Sequence, residues 1–306
     1  MSQLPPESDV VVLGFNTLDL VFSGPDAIRP DQKIHSTGLL QIAGGQGANA
    51  AVDLAGLGLA VQYAGMFGDD AWGGLSAASL TDAGIGTAAS RTVADCPNHV
   101  AVVVVDTTHD TRSIVMCKDP RLTAPADLVD ERLLRTTRAL YTDGHEFELS
   151  VAAAALAASL GVPVFSDLES LRPDTDRLLR HVGELVAPLA VLAELTGATD
   201  EAEILAGVRK LGPAVVVATK GGEGCSTLDE QGRLVVLPAV PTEVVDSTGA
   251  GDAFHAGYLA ARLRGAGIVE AAELGNRAGA LKCRFPGPRV PPEAMAALRT
   301  DPAAAG

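Results

Sequence analysis

A lone carboxylate follows a glycine turn at the start of an alanine-rich helix. The stretch Gly249-Ala250-Gly251-Asp252 comes after a β-branched run that stops at Asp246. Glycine lets the backbone approach a ligand closely, and the N–H groups and dipole of a helix start favour an anion. A carboxylate beside such an anion site can take the proton of an alcohol. These residues therefore suit phosphoryl transfer to a hydroxyl, although a plain strand-to-helix turn with a dipole-favoured acid has the same pattern.

A second glycine turn, at Gly44-Gly45, leads into another alanine-rich helix, which carries Asn49. The spacing Gly-x-Gly-x-x-Ala from Gly45 to Ala50 also has the form of a dinucleotide-binding fingerprint. That fingerprint directly follows the first buried strand, whereas here the strand Val10–Leu13 ends about thirty residues earlier and no acid ends a second strand. We therefore favour a turn that brings backbone and Asn49 close to a polyhydroxy substrate.

Two further segments end where a ligand could bind. Asp19 follows the first buried strand, and ligands in open α/β sheets bind beyond the carboxyl ends of strands. The turn from Gly221 to Gly224 follows another predicted strand, and its N–H groups, with Thr219 and Lys220, could hold nucleotide phosphates. An ordinary turn acid and a simple hairpin turn are the respective alternatives.

The elements that position these residues alternate as in an α/β protein. Short apolar runs are typical of buried parallel strands, and the alanine-rich segments between them of helices. We predict strands at 10–13, 61–67, 140–142, 162–166, 215–219 and, weakly, 189–193, and helices at 71–83, 150–160, 174–186 and 199–211. The predicted fold is a mostly parallel central sheet flanked by helices, a Rossmann-like three-layer arrangement.

Short β pieces at about 15–42 and 95–118 fall outside this alternation. The second segment includes a plausible hairpin of 100–105 with 112–117. Such pieces could form a small β lid over the binding edge of the sheet. Since no repeat or linker divides the chain, we predict one domain over 1–306 with this lid.

Bulk composition narrows the class of protein. The 306 residues are 47% hydrophobic but only 4% aromatic, so Ala, Val and Leu must form the core. A net charge of -15 argues against a nucleic-acid or anionic-membrane surface. The four cysteines are scattered, and neither a signal pattern nor a membrane-length apolar run occurs. We therefore expect reduced thiols, no membrane partner and a cytoplasmic location.

Several catalytic motifs are absent from the sequence. It contains no Walker-type Gly-Lys-Ser/Thr, no His-Glu-x-x-His, no Gly-x-Ser-x-Gly and no paired-cysteine metal site. Glu146 and Glu148 beside His145 could bind a metal, but a solvated loop is the interpretation that we favour.

Two separated signatures carry a resemblance to the ribokinase-like (PfkB) family of carbohydrate kinases. The segment 44–49, Gly-Gly-Gln-Gly-Ala-Asn, resembles the family's N-terminal Gly-Gly-x-Gly-x-Asn motif. The segment 246–252, Asp-Ser-Thr-Gly-Ala-Gly-Asp, resembles its more specific C-terminal motif Asp-Thr-x-Gly-Ala-Gly-Asp. The resemblance covers about 10–290 and implies transfer of the ATP γ-phosphate to a sugar hydroxyl with Mg²⁺, on a ribokinase-like fold with a β lid over the sugar.

The resemblance also implies roles for individual residues. Asp252 resembles the catalytic base, and its neighbours resemble the anion hole for the migrating phosphoryl group: Gly249, Ala250 and Gly251. The residues that resemble substrate contacts are Asp19, Gly44, Gly45 and Asn49. Those that resemble nucleotide contacts are Thr219, Gly221, Gly224, Thr248 and Asn276. The region that holds a monovalent cation in many members corresponds to Asp246, Thr248 and Gly287, so K⁺ joins ATP and Mg²⁺ among the expected cofactors.

The sequence departs from the family pattern in three places. The segment 188–196 lacks the Asn-x-x-Glu motif that supports Mg²⁺ in many members, and Glu194 is its only acid. Gln46 stands where ribokinases usually have lysine, and Thr17 where they usually have asparagine. Ribose is therefore a less favoured acceptor than another sugar.

Alternatives to a sugar kinase stay open at this point. A nucleoside acceptor would call for aromatic stacking near Phe15 or the lid. A sugar-phosphate acceptor would call for basic lid residues, which Lys33, Arg112 and Lys118 could supply. A non-catalytic sugar-binding regulatory protein on the same fold is the alternative outside catalysis, and the presence of Asp252 argues against it. Because lids in this family pair between subunits in some members, a homodimer is also conceivable.

Overall fold

The computed structural model describes residues 7–24, 31, 33, 35–106 and 111–299. Part of the predicted lid, at 25–30, and the turn of its hairpin, at 107–110, lie outside the described residues. The Arg112 side chain, which the sequence offered for a sugar phosphate, also lies outside them. The predicted domain limits of 1 and 306 fall beyond the described range as well.

The strands form one large sheet and two small ones. In chain order they are β1 (Val10–Leu13), β2 (Thr17–Gly24), β3 (Gly38–Gly44), β4 (Val61–Ala64), β5 (Met66–Gly68), β6 (Arg91–Val93), β7 (Val100–Asp106), β8 (Thr111–Cys117), β9 (Leu140–Thr142), β10 (Val164–Asp167), β11 (Glu184–Pro188), β12 (Val215–Thr219), β13 (Cys225–Leu228) and β14 (Leu234–Leu237).

Helices connect most of the parallel strands. They are α1 (Gln46–Gly56), α2 (Ala71–Asp82), α3 (Glu131–Arg135), α4 (Phe147–Ser159), α5 (Asp176–Leu179), α6 (Leu189–Thr196), α7 (Glu201–Arg209), α8 (Ala250–Leu263), α9 (Ile268–Cys283) and α10 (Pro292–Ala297). Within the described part of the chain, none of them has both the length and the apolar character needed to cross a bilayer.

The large sheet has eight strands in the order β14-β13-β12-β11-β10-β9-β1-β4. Pairing is parallel from β4 across to β12, and antiparallel for β13 and β14. The carboxyl ends of the parallel strands meet at one edge, so the loops that follow β1, β9, β10 and β12 converge there. The predicted mostly parallel sheet is confirmed.

Both faces of the large sheet are covered by helices. In β1, Val10 and Val12 pack in one apolar cluster with α1, α8, α9 and α10, whereas Val11 and Leu13 pack in another with α3 to α7. Successive side chains of a strand point to opposite faces, so a strand covered on both sides is a continuous apolar run. The three-layer α/β class is therefore confirmed.

Four other strands form a separate sheet, in the order β3-β2-β7-β8. Pairs β2–β3 and β7–β8 are antiparallel, and β2–β7 is parallel. These strands come from the two segments in which the sequence predicted short β pieces. That the small sheet acts as a lid over substrate stays a prediction.

Three predicted elements differ from the structure. The helix predicted at 174–186 is only the short α5, followed by strand β11, and the weak strand predicted at 189–193 is helix α6. Short apolar runs do not distinguish buried strands from buried helices by periodicity alone. Here Pro188, with φ -59° and ψ 136°, ends the strand and precedes the helix. The strand predicted at 61–67 is split into β4, in the large sheet, and β5, paired with β6.

Candidate active site

Asp252 lies in the first turn of α8, where the side chain is buried. The Asn49 side-chain amide, on α1, donates a hydrogen bond of 2.8 Å from Nδ2 to Asp252 Oδ2. Residues of both helices belong to one apolar cluster, which holds this polar pair in place. The two signatures, 203 positions apart in sequence, are thus joined by a direct contact.

Arg289 orients the amide of Asn49. Its Nε donates to Asn49 Oδ1 over 2.9 Å, and its Nη1 donates to Ser79 Oγ over 3.1 Å. An amide whose oxygen accepts from a guanidinium must turn its NH₂ group the other way, here toward Asp252. No local sequence pattern shows which side chain Arg289 reaches, because its partners lie on other segments.

The pKa of Asp252 is raised well above its usual value, chiefly because burial disfavours the charged form. The hydrogen bond from Asn49 opposes the shift, whereas the nearby carboxylates of Asp167 and Glu169 add to it. His255, one turn further along α8, lies 3.2 Å from Asp167 Oδ1 through Nε2.

The glycine turn before Asp252 has a conformation that requires glycine. Gly249 has φ +79°, and a Cβ there would lie 1.9 Å from the carbonyl oxygen of Pro288. Gly251 is different, because a Cβ on it would meet nothing within 4 Å. The first glycine therefore shapes the turn, and the second leaves the backbone open to the adjoining cleft.

This cleft has a volume of about 420 Å³. It brings together most of the residues that the resemblance implied for the nucleotide and the phosphoryl group: Thr219, Gly221, Gly224, Asn276, Ala250 and Gly251. Lys220, which we expected to add a donor here, instead makes an ion pair of 3.0 Å with Glu201. Thr248 and Gly249 are not among the residues lining the cleft, although they belong to the same turn.

Asp19 lies within strand β2 rather than in a turn. Thr17 Oγ1 donates to its Oδ1 over 2.6 Å, and a Cβ on Gly44 would lie 2.3 Å from its Oδ2, so Gly44 makes space for this carboxylate. Asp19 is buried, and its charge, like that of Asp252, stabilises the Arg289 guanidinium. Asp19, Asn49 and Asp252 therefore share one half-buried cation.

Gly45, with φ +95°, precedes α1 and connects it to β3 of the small sheet. A dinucleotide fingerprint would instead follow the first strand of the parallel sheet. The local context therefore excludes that interpretation of Gly45 and Ala50.

Asp143, which directly follows β9, ties the loops together. Its Oδ2 accepts hydrogen bonds from the N–H groups of Phe15, at 2.7 Å, and Gly47, at 2.9 Å. Its Oδ1 accepts from the N–H of His145 at 3.0 Å. A carboxylate that accepts three backbone amides fixes both the loop after β1 and the start of α1.

A second cavity, of about 400 Å³, lies beside Phe15. The Lys118 ammonium lies 4.2 Å from the centre of the Phe15 ring, and the His99 ring stacks on Phe15 with centroids 4.8 Å apart. Burial and the Lys118 charge lower the pKa of His99 to about 4, so its imidazole is neutral near pH 7. Lys118 and Arg172 are therefore the positive charges of this cavity.

The acids near His145 have other partners. Glu146 Oε2 accepts from the N–H of Ala124 at 2.9 Å, and Glu148 forms an ion pair of 2.9 Å with Arg177. Over the described ranges, no group of three His, Cys, Asp or Glu side chains is arranged to hold a metal.

Asp246 connects the residues that the resemblance assigned to a monovalent cation. Its Oδ1 accepts from the N–H of Thr248 and its Oδ2 from the N–H of Gly287, both at 2.8 Å. Its backbone carbonyl accepts a hydrogen bond of 2.8 Å from Lys282 Nζ. The structure thus brings the three predicted residues together, and adds a lysine that the sequence had not pointed to.

A carboxylate and a glycine turn lie beside a cleft at the edge of a helix-covered α/β sheet. This arrangement is the one expected of a phosphotransferase. The family model of the pfkB family carbohydrate kinase matches residues 8–295. The chain belongs to this family, and it is an ATP-dependent carbohydrate kinase.

Relatives within the family differ in their acceptors. The chain is 27% identical to a ribokinase of Bacillus subtilis over 90% of this chain and 94% of that protein. It is 26% identical to a nucleoside kinase of Methanothermobacter thermautotrophicus over 86% and 85%. The solved structure of Arabidopsis thaliana ribokinase complexed with ribose and ATP matches with a TM-score of 0.84 and 24% identity, over 97% of this chain and all of that one. This likeness supports the fold.

Proposed function

We propose that this kinase transfers the γ-phosphate of ATP to a hydroxyl of a small sugar, with Asp252 as the base. The observation that carries the proposal is the position of Asp252. It contacts Asn49 on one side and adjoins Ala250 and Gly251, which line the 420 Å³ cleft, on the other. The carboxylate therefore lies between the implied sugar site and the implied phosphate site.

In the proposed reaction, Asp252 accepts the proton of the sugar hydroxyl as the hydroxyl oxygen attacks the γ-phosphorus in line. The O–P bond to the sugar forms, the bond to the β-phosphate oxygen breaks, and ADP leaves. The amides of the Gly249–Gly251 turn donate to the phosphoryl oxygens, whose charge they stabilise. Asn49, held by Arg289, keeps the Asp252 carboxyl oriented toward the acceptor.

Mg²⁺ in such a reaction neutralises the phosphate charge. It usually keeps several waters and binds through phosphates with one or two carboxylates, so it needs no all-protein cage. The described residues, which contain no cluster of three potential ligands, fit a magnesium ion that arrives with the nucleotide. Glu194 is exposed on α6, and Asp252 directly follows Gly251, which lines the cleft.

A nucleoside acceptor is less favoured than a sugar. The ring that would stack on its base, Phe15, is buried beneath His99 and contacted by Lys118. Gln46 and Thr17, where ribokinases usually have lysine and asparagine, argue against ribose itself. A purely regulatory role is less favoured because the buried Asp252 is retained with its Asn49 partner.

A sugar that carries an anionic group is the second candidate acceptor. The specific observation is the cavity beside Phe15, to which Lys118 and Arg172 contribute positive charge from different parts of the chain. An anion seated there would have two cations within reach. Acidic side chains, among them Asp119 and Glu146, also line this cavity, which is why a neutral sugar stays the first candidate.

The two edge strands of the small sheet, β3 and β8, expose large apolar side chains that suit contact with a second copy of the chain. These side chains are Leu39, Leu40, Ile114, Val115 and Met116. Exposed apolar surface of this kind marks interaction sites. We expect sedimentation velocity to show a homodimer, and Val115→Glu to shift it toward monomer while Val236→Glu, at an exposed position on β14, does not. A monomeric wild type would contradict the dimer.

The cytoplasmic location expected from the sequence stays a prediction.

Asp252→Asn tests the base. We expect the variant to fold and to bind ATP, and to lose roughly a hundred- to ten-thousand-fold in kcat, the range for general-base loss. The assay is ADP release with Mg²⁺ over ketoses, aldoses, sugar phosphates, sugar acids and nucleosides. Asp82→Asn, an exposed change at the end of α2, is the matched control.

Near-normal turnover of Asp252→Asn would remove the base assignment. If the wild type released ADP with none of these acceptors, the proposed acceptor class would be wrong. Turnover with sugar phosphates or sugar acids alone would favour the second candidate over the first.

The pH dependence of kcat/KM gives a second test of Asp252. The base works as a carboxylate, and burial raises its pKa, so activity falls as pH drops through a value above the usual 3.8. Asn49→Ala removes a hydrogen bond that lowers this pKa and should move the acid limb to still higher pH. An acid limb at or below the usual value would contradict the assignment.

Asp19→Ala tests the sugar contact. Because Asp19 would position the acceptor, we expect a higher KM for the sugar and a lower kcat, with the KM for ATP little changed. Asp127→Ala, an exposed substitution, serves as the control. Unchanged sugar kinetics in Asp19→Ala would reduce Asp19 to a structural residue of β2.

A further inference from the structure

Lys282 is the lysine of α9 whose side chain is completely buried, with 0% exposure. Its ammonium donates to the backbone carbonyl oxygens of Asp246, at 2.8 Å, and Phe285, at 3.1 Å. Lysine is almost never fully buried unless its charge has partners. Here the partners are neutral carbonyl oxygens on two different loops, which is the way proteins surround a monovalent metal ion.

The two loops that Lys282 joins shape the phosphate turn. The first, from Asp246 to Gly249, ends at the start of α8. The second, from Phe285 to Pro288, packs so closely on the first that a Cβ on Gly249 would lie 1.9 Å from the Pro288 carbonyl. The Asp246 carboxylate bridges them again through the N–H of Gly287. A cation at Lys282 Nζ therefore holds together the two loops that shape the turn.

The residues present do not fit a separate K⁺ ion at this place. Both carboxylate oxygens of Asp246 already accept backbone N–H groups, and its carbonyl oxygen already faces the lysine ammonium. A K⁺ ion that coordinated the carbonyl oxygens of Asp246 and Phe285 would be repelled by the ammonium that they contact.

We propose that the Lys282 ammonium is a tethered substitute for the monovalent cation of this fold, so that the kinase works without K⁺. The inference rests on the proposed phosphate-binding role of the Gly249–Gly251 turn. Lys282 is a positioning residue, since it acts through the backbone of Asp246 and Phe285 and does not line the cleft.

The charge on Lys282 is supported from several sides. Burial lowers the pKa of its ammonium, and the carboxylates of Asp246, Asp53 and Asp252 oppose this shift. Burial raises the pKa of Asp53, on α1, to about 7, and the Lys282 charge is one of the contacts that oppose this shift. An ammonium fixed by its own side chain cannot be washed out, whereas a bound ion exchanges with the solvent.

The first experiment compares wild-type ADP release in K⁺, in Na⁺ and in tetramethylammonium salts at equal ionic strength. We expect equal kcat/KM within about twofold and no rise in melting temperature specific to K⁺. Activity that depends on added K⁺ would overturn the substitution while leaving the kinase function intact. Absence of activity in every salt would instead count against the proposed acceptors.

The second experiment removes the ammonium. Lys282→Ala should lose roughly 10- to 100-fold in kcat/KM in Na⁺, the scale expected when hydrogen bonds to a charged group are lost. The cavity left behind should let K⁺ or NH₄⁺ restore part of this activity and raise the melting temperature of the variant. Lys282→Met fills the space without a charge, so added K⁺ should not restore the activity that this variant loses.

Controls make the result specific. Lys210→Ala, at an exposed lysine after α7, should match the wild type in all salts. If Lys282→Ala misfolds, the Lys282→Met variant and the wild-type salt series still decide the question. A Lys282→Met variant with wild-type kinetics would show that no cation is needed at this position and would overturn the proposal.

Discussion

The hydrogen bond between Asn49 and Asp252 is the contact on which the site depends. It joins the starts of α1 and α8, and the Arg289 guanidinium fixes its direction from the Asn49 side. A buried carboxylate is costly unless hydrogen bonds and nearby positive charge compensate it. Asp252 has one such bond and shares Arg289 electrostatically with Asp19. The same burial that makes the carboxylate expensive also raises its pKa, and so makes it a better proton acceptor once it is ionised.

Backbone rather than side chains shapes much of the remaining site. Asp143 accepts three amides and thereby fixes the loop after β1 and the start of α1. Asp246 likewise accepts backbone N–H groups from the loops around the phosphate turn. Lys282 donates to carbonyl oxygens of the same loops. Carboxylates thus hold N–H groups and an ammonium holds C=O groups, and Ala250 and Gly251 of the turn line the cleft. Because Asp143 and Lys282 are buried, the turn can meet a phosphate with little reorganisation.

The sequence predicted the glycine turns, the alternation of strands and helices and the segments of the small sheet, because each has a local signal. It failed at 174–193, where apolar runs of similar length fold as a strand and as a helix, and the turn at Pro188 separates them. Arg289 and Lys282 had no local signal, since their partners lie on other segments. Arg289 reaches Asn49 over 240 positions in sequence, and only the folded chain shows that distance to be 2.9 Å. The raised pKa of Asp252 is likewise a property of its burial.

The long separation between α1 and α8 has a consequence for synthesis on the ribosome. The chain emerges from its amino terminus, so Asn49, Asp53 and Asp19 are made well before the later residues that interact with them. Asp252 accepts the hydrogen bond of Asn49, and the positive charges of Lys282 and Arg289 stabilise the early carboxylates. Contacts of such high sequence separation form late and slow the folding of a nascent chain. Until the last segment appears, the early half presents an unfinished polar surface beside an uncovered sheet face. The finished enzyme therefore assembles its reaction centre as one of the final events of folding.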